Sequence, residues 1–509
     1  MEPVRGIIYD YNGGILALNI KTDSVYAVSK DIKNKKNIAK QLSQLLKLDT
    51  KYLIDRLGRE KSFVWIKRKI SDEESEALNI AGVDGIFLIG ESKRLYPGDS
   101  LACHLLGFTD IDNKGLEGLE LAYDVFLKGK YGWKNVLRDA RQTIVQSYGE
   151  GVQPKDGYSL ILAIDDVIQN IVENEIEEVV KNSKPKSVSI IALDPKTGGI
   201  LAMANYPKYN LNDYTRYSSE NFKNRCISDT YEPGSVFKVI TASAVLEEGA
   251  CKLEDKFYCE KGSYKIGNRI LHDFRPYETL TFREVIEHSS NIGVVKAASK
   301  LGKHKFYDYL KKFGLGAKTG IDLKGEENGI LRPVSAWTKS DMTTIPMGQG
   351  ISCTPIQLAC AVSVIANGGI LMKPYVVKSI IDKNNNVIKE AQPDEVRRVI
   401  SEETALRMKD VLRGVVERGT GRRAKLAEYT ACGKTGTAQK VGENGEYAKN
   451  KYMASFIGFA PYSDPRVALV VCINEPKGVH FGGMIAAPAF KNAMEKILKY
   501  IEVPKEDIL

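Results

Sequence analysis

Tyr231-Glu232-Pro233-Gly234-Ser235-Val236-Phe237-Lys238 breaks the chain at Pro233-Gly234 and then starts a helix. Apolar residues recur at helical spacing through Leu246, and Gly249 ends the pattern. Ser235 therefore falls in the first turn of a buried helix. Lys238 is three residues on, so both side chains share one face. A serine hydroxyl needs a base beside it to act as a nucleophile. A lysine can be that base when burial or a neighbouring cation lowers its pKa. Free N–H groups at the helix start can hold an oxyanion. The other reading of the segment is an N-cap serine with a surface lysine. Ser183-Lys184-Pro185-Lys186 repeats the spacing, but it contains proline and precedes a strand, so it reads as a solvated linker.

Two later segments carry complementary chemistry. His288-Ser289-Ser290-Asn291 lies between helical stretches, and a hydroxyl and an amide two residues apart can relay a proton and hold a substrate amide. A helix cap is the competing reading, and Ser219-Glu220-Asn221 has the same spacing. Cys432-Gly433-Lys434-Thr435-Gly436-Thr437-Ala438-Gln439 comes late, among small residues and just before paired strands. Lys196-Thr197-Gly198 and Lys318-Thr319-Gly320 match its core, but one is a hairpin tip and the other sits in a glycine-rich loop. On a strand, Thr435 and Thr437 point the same way. Gly436 would let a substrate backbone approach closely. Lys434 supplies a cation for a carboxylate, and it would lower the pKa of Lys238 if the two are near.

The surrounding pattern sets the fold class. Ser187–Leu193, the turn Asp194 to Gly199 and Ile200–Ala204 form a hairpin. Ser455–Ala460 and Val467–Ile473 read as buried strands, and Ala487–Ile501 as a closing helix. Tyr158–Ile164 reads as a strand and Asp166–Asn182 as an amphipathic helix. Hairpins at both ends of this region favour an α+β fold, an antiparallel sheet flanked by helices, over a doubly wound parallel sheet. The first 150 residues differ. They hold short β-like pieces (6–10 and 15–18) about the turn Asn12-Gly13-Gly14 and one polar helical stretch over 37–57. The division expected is 1–150 for a mixed N-terminal domain and 151–509 for the larger one.

Composition excludes little else. The chain has 509 residues, 43% hydrophobic and 27% charged, which is globular rather than disordered. Its net charge of +9 permits an anionic partner without demanding one. No apolar run reaches the length of a membrane span, and no signal segment opens the chain. The eight cysteines include no C-x-x-C pair, and there are only five histidines.

The order S-x-x-K, S-x-N, K-T-G is that of penicillin-binding proteins and class A β-lactamases. The chain resembles a class B penicillin-binding protein, a peptidoglycan D,D-transpeptidase, of the division and sporulation type (the stage V sporulation protein D group). Arg5-Gly6-Ile7-Ile8-Tyr9-Asp10-Tyr11-Asn12-Gly13 is similar to the R-G-x-I-x-D-R-N-G opening of that family's elongated pedestal domain, with Tyr11 in place of an arginine. Arg94–Pro97, Gly115–Glu120, Met347–Pro355 and Phe456–Pro461 match further family segments. The resemblance implies that Ser235 attacks the penultimate D-alanyl carbonyl of a stem peptide while Lys238 takes its proton. It implies that Ser289 and Asn291 assist proton transfer and hold the donor amide. It gives Lys434, Thr435, Gly436 and Thr437 to binding the D-Ala-D-Ala end, with the N–H groups of Ser235 and Thr437 as the oxyanion hole. An amine from a neighbouring strand would then resolve the acyl-enzyme, and β-lactams would trap it.

The implied partners are stem peptides, β-lactams, a separate glycosyltransferase and cell-wall assembly proteins, with no nucleic acid. The alternatives are a D,D-carboxypeptidase, a serine β-lactamase, for which no deacylating residue is identified, and a non-catalytic scaffold for cell-wall synthesis. The family chemistry needs no cofactor. Cys251, Cys259, His272, Asp273 and His288 nonetheless fall within 38 residues and form a candidate zinc set, although their spacing matches no standard zinc pattern. Cys251–Cys259 is alternatively a candidate disulfide. The resemblance begins at Arg5, where relatives have just left a single membrane anchor. The expectation is thus a soluble part of an anchored enzyme, its catalytic domain on the outer side of the cell membrane, with Met1-Glu2-Pro3 as an artificial start.

Overall fold

The computed structural model describes residues 1–59, 61–138, 144–267, 269–442 and 446–506. Near the N-terminus, β1 (Ile8–Tyr9) turns at Gly13 into the long strand β2 (Ile15–Ala27). β3 (Val64–Lys67) and β4 (Ile86–Leu95) both pair antiparallel with β2. The polar helical stretch is two helices rather than one. α1 (Lys35–Leu46) stops because Lys47 turns left-handed at φ 53°, and α2 (Thr50–Leu57) restarts where Asp49 accepts the Tyr52 N–H. Each buries leucines (Leu42, Leu46, Leu53, Leu57) against Val25 and Ile66 of the sheet.

This sheet does not end with the first 150 residues. β5 (Ser159–Leu162) runs parallel to β1. β9 (Val377–Ile381) and β10 (Val387–Glu390), far along the chain, extend it antiparallel beyond β5. At its base a buried ionic cluster binds distant segments. Arg5 Nε and Arg94 Nε each lie 2.6 Å from one oxygen of Glu120, and all three residues are nearly inaccessible.

The second sheet is antiparallel throughout, as the hairpin pattern requires. Its strands are β6 (Ser187–Leu193), β7 (Ile200–Tyr206), β11 (Cys432–Val441), β12 (Tyr447–Ala460) and β13 (Val467–Asn474), in spatial order β11-β12-β13-β6-β7. Every residue of β6 and β13 is buried, so both faces are covered by helices. α3 (Asp166–Ser183), capped by Asp165, packs on one face with α8 (Gly482–Tyr500). The other face carries α4 (Lys238–Glu247), α5 (Asn291–Leu301), α6 (Pro355–Ala366) and α7 (Glu402–Glu417). α4 is buried from Lys238 through Leu246, a helix enclosed on all sides. A short antiparallel pair includes β8 (Arg269–His272). β11 lies at the edge of its sheet, so one row of its backbone groups faces the cleft in front of α4. Among the described residues no helix is long and apolar enough to cross a membrane.

Three details differ from the sequence reading. Ser183 is the buried last residue of α3, its Oγ donating to Val179 O, and not part of a solvated linker. The closing helix starts at Gly482, five residues earlier than expected. All eight cysteines are free and buried, so Cys251 and Cys259 are not bonded to each other.

Candidate active site

Ser235 sits in a single 3-10 turn, Gly234–Phe237, that leads directly into α4. Gly234 makes this possible. Its φ is +57°, and a Cβ there would meet Ala438 Cβ at 3.1 Å and Thr437 O at 3.2 Å. On its other side Gly348 packs so closely that a Cβ would lie 2.2 Å from Gly234 O, and Gly234 N donates to Gly348 O at 3.0 Å. Gly234 is thus wedged between the 348 loop and β11, which brings the Ser235 turn beside Thr437.

Lys238 is fully buried. Its Nζ donates to Ser289 O at 2.6 Å, Ser289 Oγ at 3.2 Å and Asn291 Oδ1 at 2.7 Å. Ser235 Oγ, half-buried, makes no hydrogen bond among the described residues. A base that tightens onto its nucleophile only when substrate arrives behaves in this way. Burial lowers the Lys238 pKa to about 7, with the Asp273 carboxylate pulling it back up. Burial, rather than the Lys434 charge, is therefore the main source of the depression.

Ser289 has a left-handed backbone, φ 63°, which turns both its carbonyl and its hydroxyl toward Lys238. Asn291 opens α5 and donates through Nδ2 to His272 O at 2.8 Å. Lys434, also fully buried, donates to Ser289 Oγ at 2.9 Å. Its pKa lies well below the usual lysine range, through burial first and the Lys238 charge second. One hydroxyl thus links the two lysines, and all three motifs meet at one point.

On β11, Thr435 Oγ1 pairs with Thr420 Oγ1 at 2.8 Å, and Thr437 Oγ1 accepts from Gly482 N at 3.0 Å. Gly436 faces the opposite way from the threonines. A Cβ there would lie 2.4 Å from Ser455 Oγ and 2.8 Å from Val236 Cγ1. Its small size serves packing against the Ser235 turn. Gly482 and Thr420 had no signal in the sequence, because both reach the site from distant segments.

The zinc candidates take other roles. Asp273 caps α5, its carboxylate accepting from Asn291 N, Ile292 N at 3.1 Å and Ser290 Oγ at 2.6 Å. Cys259 Sγ accepts from Ser290 Oγ at 3.4 Å, and His288 stacks on Tyr277. Among the described residues no group of three or more His, Cys, Asp or Glu could hold a metal ion. Asp273, one of the zinc candidates in the sequence, positions Asn291.

The other serine and lysine motifs stay apart from this centre. Thr197 Oγ1 donates to its own loop at Asp194, and Thr319 to Glu326.

Known proteins resemble the chain along its whole length. A family model described as penicillin binding protein transpeptidase domain matches residues 188–495. One described as penicillin-binding protein dimerisation domain matches residues 1–162. Stage V sporulation protein D of Bacillus subtilis (strain 168) is 38% identical over 99% of this chain and 79% of its own length. Peptidoglycan D,D-transpeptidase FtsI of Escherichia coli (strain K12) is 31% identical over 98% of this chain and 84% of its own. The crystal structure of penicillin binding protein 3 from Mycobacterium tuberculosis complexed with ampicillin superposes with a TM-score of 0.79 at 28% identity, covering 100% of this chain and 97% of that one.

Proposed function

The chain belongs to the class B penicillin-binding proteins, peptidoglycan D,D-transpeptidases with a serine acyltransferase domain, and we propose that Ser235 is the nucleophile through which it acts. The observation that carries this is the convergence of Ser289 and Asn291 on Lys238, with Lys434 on the same Ser289 hydroxyl, at the foot of the Ser235 turn.

The steps that this reading implies are these. A donor stem peptide lies along the free edge of β11, adding a strand to the sheet. Its terminal carboxylate is held by Lys434 and Thr435. Its penultimate carbonyl points its oxygen at the Ser235 and Thr437 N–H groups. Neutral Lys238 takes the Ser235 proton as Oγ bonds to that carbonyl carbon. The developing oxyanion is stabilised by the two N–H groups. Collapse breaks the amide, and the leaving D-alanine nitrogen receives a proton through Ser289 from the lysine pair. An amine of a second stem then attacks the ester, forms the cross-link amide and frees Ser235. β-Lactams follow the first half and stop at the ester.

Peptidoglycan chemistry supports a catalytic unit on the outer face of the cell membrane, served by a separate glycosyltransferase and assembly proteins. The change to longer, cleaner elements after Gly151–Gly157 supports a domain division near residue 150. The test is labelling by a fluorescent penicillin. The wild-type protein takes the label and Ser235→Ala does not. Label retained by Ser235→Ala overturns the assignment.

A further inference from the structure

A cavity of about 660 Å³, in the size range of small-ligand sites, lies away from the catalytic centre. It sits between the helix Lys303–Lys312, the loop that follows it, and the antiparallel strands Ile370–Met372 and Glu395–Arg398. That helix follows α5 through Gly302, and the eleven residues of α5 run about 16 Å from Asn291. No residue of the three motifs lines the cavity.

Five cations line it, Lys305, Lys311, Lys312, Lys318 and Arg397, against the carboxylates of Glu248 and Asp308. Glu248 is taken by Lys305 at 2.6 Å and by the Tyr309 hydroxyl at 2.8 Å. Asp308 is exposed and makes no ion pair among the described residues. Lys311, Lys312 and Lys318 have no carboxylate partner among them either. Cations at the end of a helix are ordinarily explained by its exposed carbonyls. Here Arg397 Nη1 already donates to the last two carbonyls, Lys311 O at 2.9 Å and Lys312 O at 3.2 Å. The three lysines are surplus to that need. Lys311 and Lys312 instead rest over rings of the cavity wall, 5.8 Å from the centre of Tyr307 and 4.4 Å from that of Tyr309.

The loop adds donors of another kind. The backbone N–H groups of Gly316, Ala317 and Lys318 meet no acceptor among the described residues. Ammonium groups beside free backbone N–H groups suit the oxygens of a phosphate. We propose that this cavity binds a multivalent phosphate, either free or carried by a polymer or a lipid headgroup. The surplus of charge decides for a multivalent ligand, since a single negative charge leaves two of the three lysines unmatched. The free N–H groups decide for phosphate over carboxylate, because a phosphate offers three oxygens that accept from several directions at once. The site stands apart from the role proposed for Ser235 and does not depend on it.

The test is isothermal titration of the full chain with inorganic tripolyphosphate at about 0.15 M salt, where loose surface attraction is screened. One site per chain is expected. The double variant Lys311→Gln/Lys312→Gln should weaken binding about tenfold, the size of two lost, partly screened charge contacts. The double variant Lys33→Gln/Lys40→Gln removes the same charge at and just before α1, in the N-terminal domain, and should bind as wild type does. All four lysines are exposed, so neither variant disturbs the core. No binding by wild type at millimolar tripolyphosphate, or equal weakening in both double variants, overturns the site. Citrate, a tricarboxylate, binding as tightly as tripolyphosphate overturns the phosphate assignment. Competition identifies the source. Displacement of tripolyphosphate by poly(glycerol phosphate) assigns the site to a polymer, displacement by phosphatidylglycerol vesicles to a headgroup, and displacement by neither to a free phosphate.

Discussion

Lys434 Nζ lies 2.9 Å from Ser289 Oγ, the same hydroxyl that Lys238 Nζ reaches at 3.2 Å. Two buried amines joined through one hydroxyl cannot both hold a full charge cheaply, so at least one is poised to be neutral. That arrangement gives a serine a base at ordinary pH without a histidine. It also explains why the few histidines of the chain stay out of the chemistry. In the mechanism we propose, a substrate carboxylate arriving at Lys434 favours the charged form there, while Lys238 stays free to accept the Ser235 proton.

The pH dependence of acylation follows. The Lys238 pKa is lowered to about 7 by burial, so the neutral, proton-accepting fraction grows as pH rises through that value. The rate of penicillin acylation should rise through about pH 7 and then level off. Asp273 pulls the Lys238 pKa upward, so Asp273→Asn should move the rising limb to lower pH. Stopped-flow acylation across that range checks it. A limb that stays put or moves to higher pH contradicts the assignment of Lys238 as the base.

Gly436→Ala should damage the site from behind. The added Cβ would meet Ser455 and Val236 inside ordinary contact distance, and such overpacking costs about 1–3 kcal/mol. Relief comes from shifting β11 away from the Ser235 turn, so acylation should fall at least about tenfold. Gly90→Ala, on β4 with open space around it, is the control and should leave the rate as it was. Equal rates for Gly436→Ala and wild type would contradict the packing role.

How far the sequence spoke for itself varied with distance along the chain. Ser235 and Lys238 were legible because three residues of helix place them on one face. The pair β12–β13 and the hairpin β6–β7 were legible as buried apolar runs around turn residues. Asp273 was not, because its partners at Asn291 and Ile292 come together only when α5 folds back on β8. The start of α8 was hidden by Gly482 and Gly483, poor helix formers retained where a Cβ at Gly482 would strike Gly436 O at 2.1 Å. β2 and β4 were mostly missed, since both are half-exposed and mix polar with apolar residues, which blurs a period of two. The left-handed Ser289 had no sequence mark at all.

Glu120→Gln should separate stability from catalysis. The change takes the countercharge from the buried guanidinium of Arg94 and leaves that of Arg5 only Asp124, which costs about 3–5 kcal/mol. Urea unfolding should show that loss, while the folded variant acylates at the wild-type rate. An unchanged unfolding midpoint would mean that the cluster contributes nothing net.

The central claim is that Ser235 forms the acyl-enzyme. Mass spectrometry of the protein after brief exposure to benzylpenicillin, followed by proteolysis, tests it most directly. The account predicts one covalent adduct per chain, on the peptide that contains Ser235. An adduct on a different peptide, or none while a control penicillin-binding protein is acylated alongside, would contradict it.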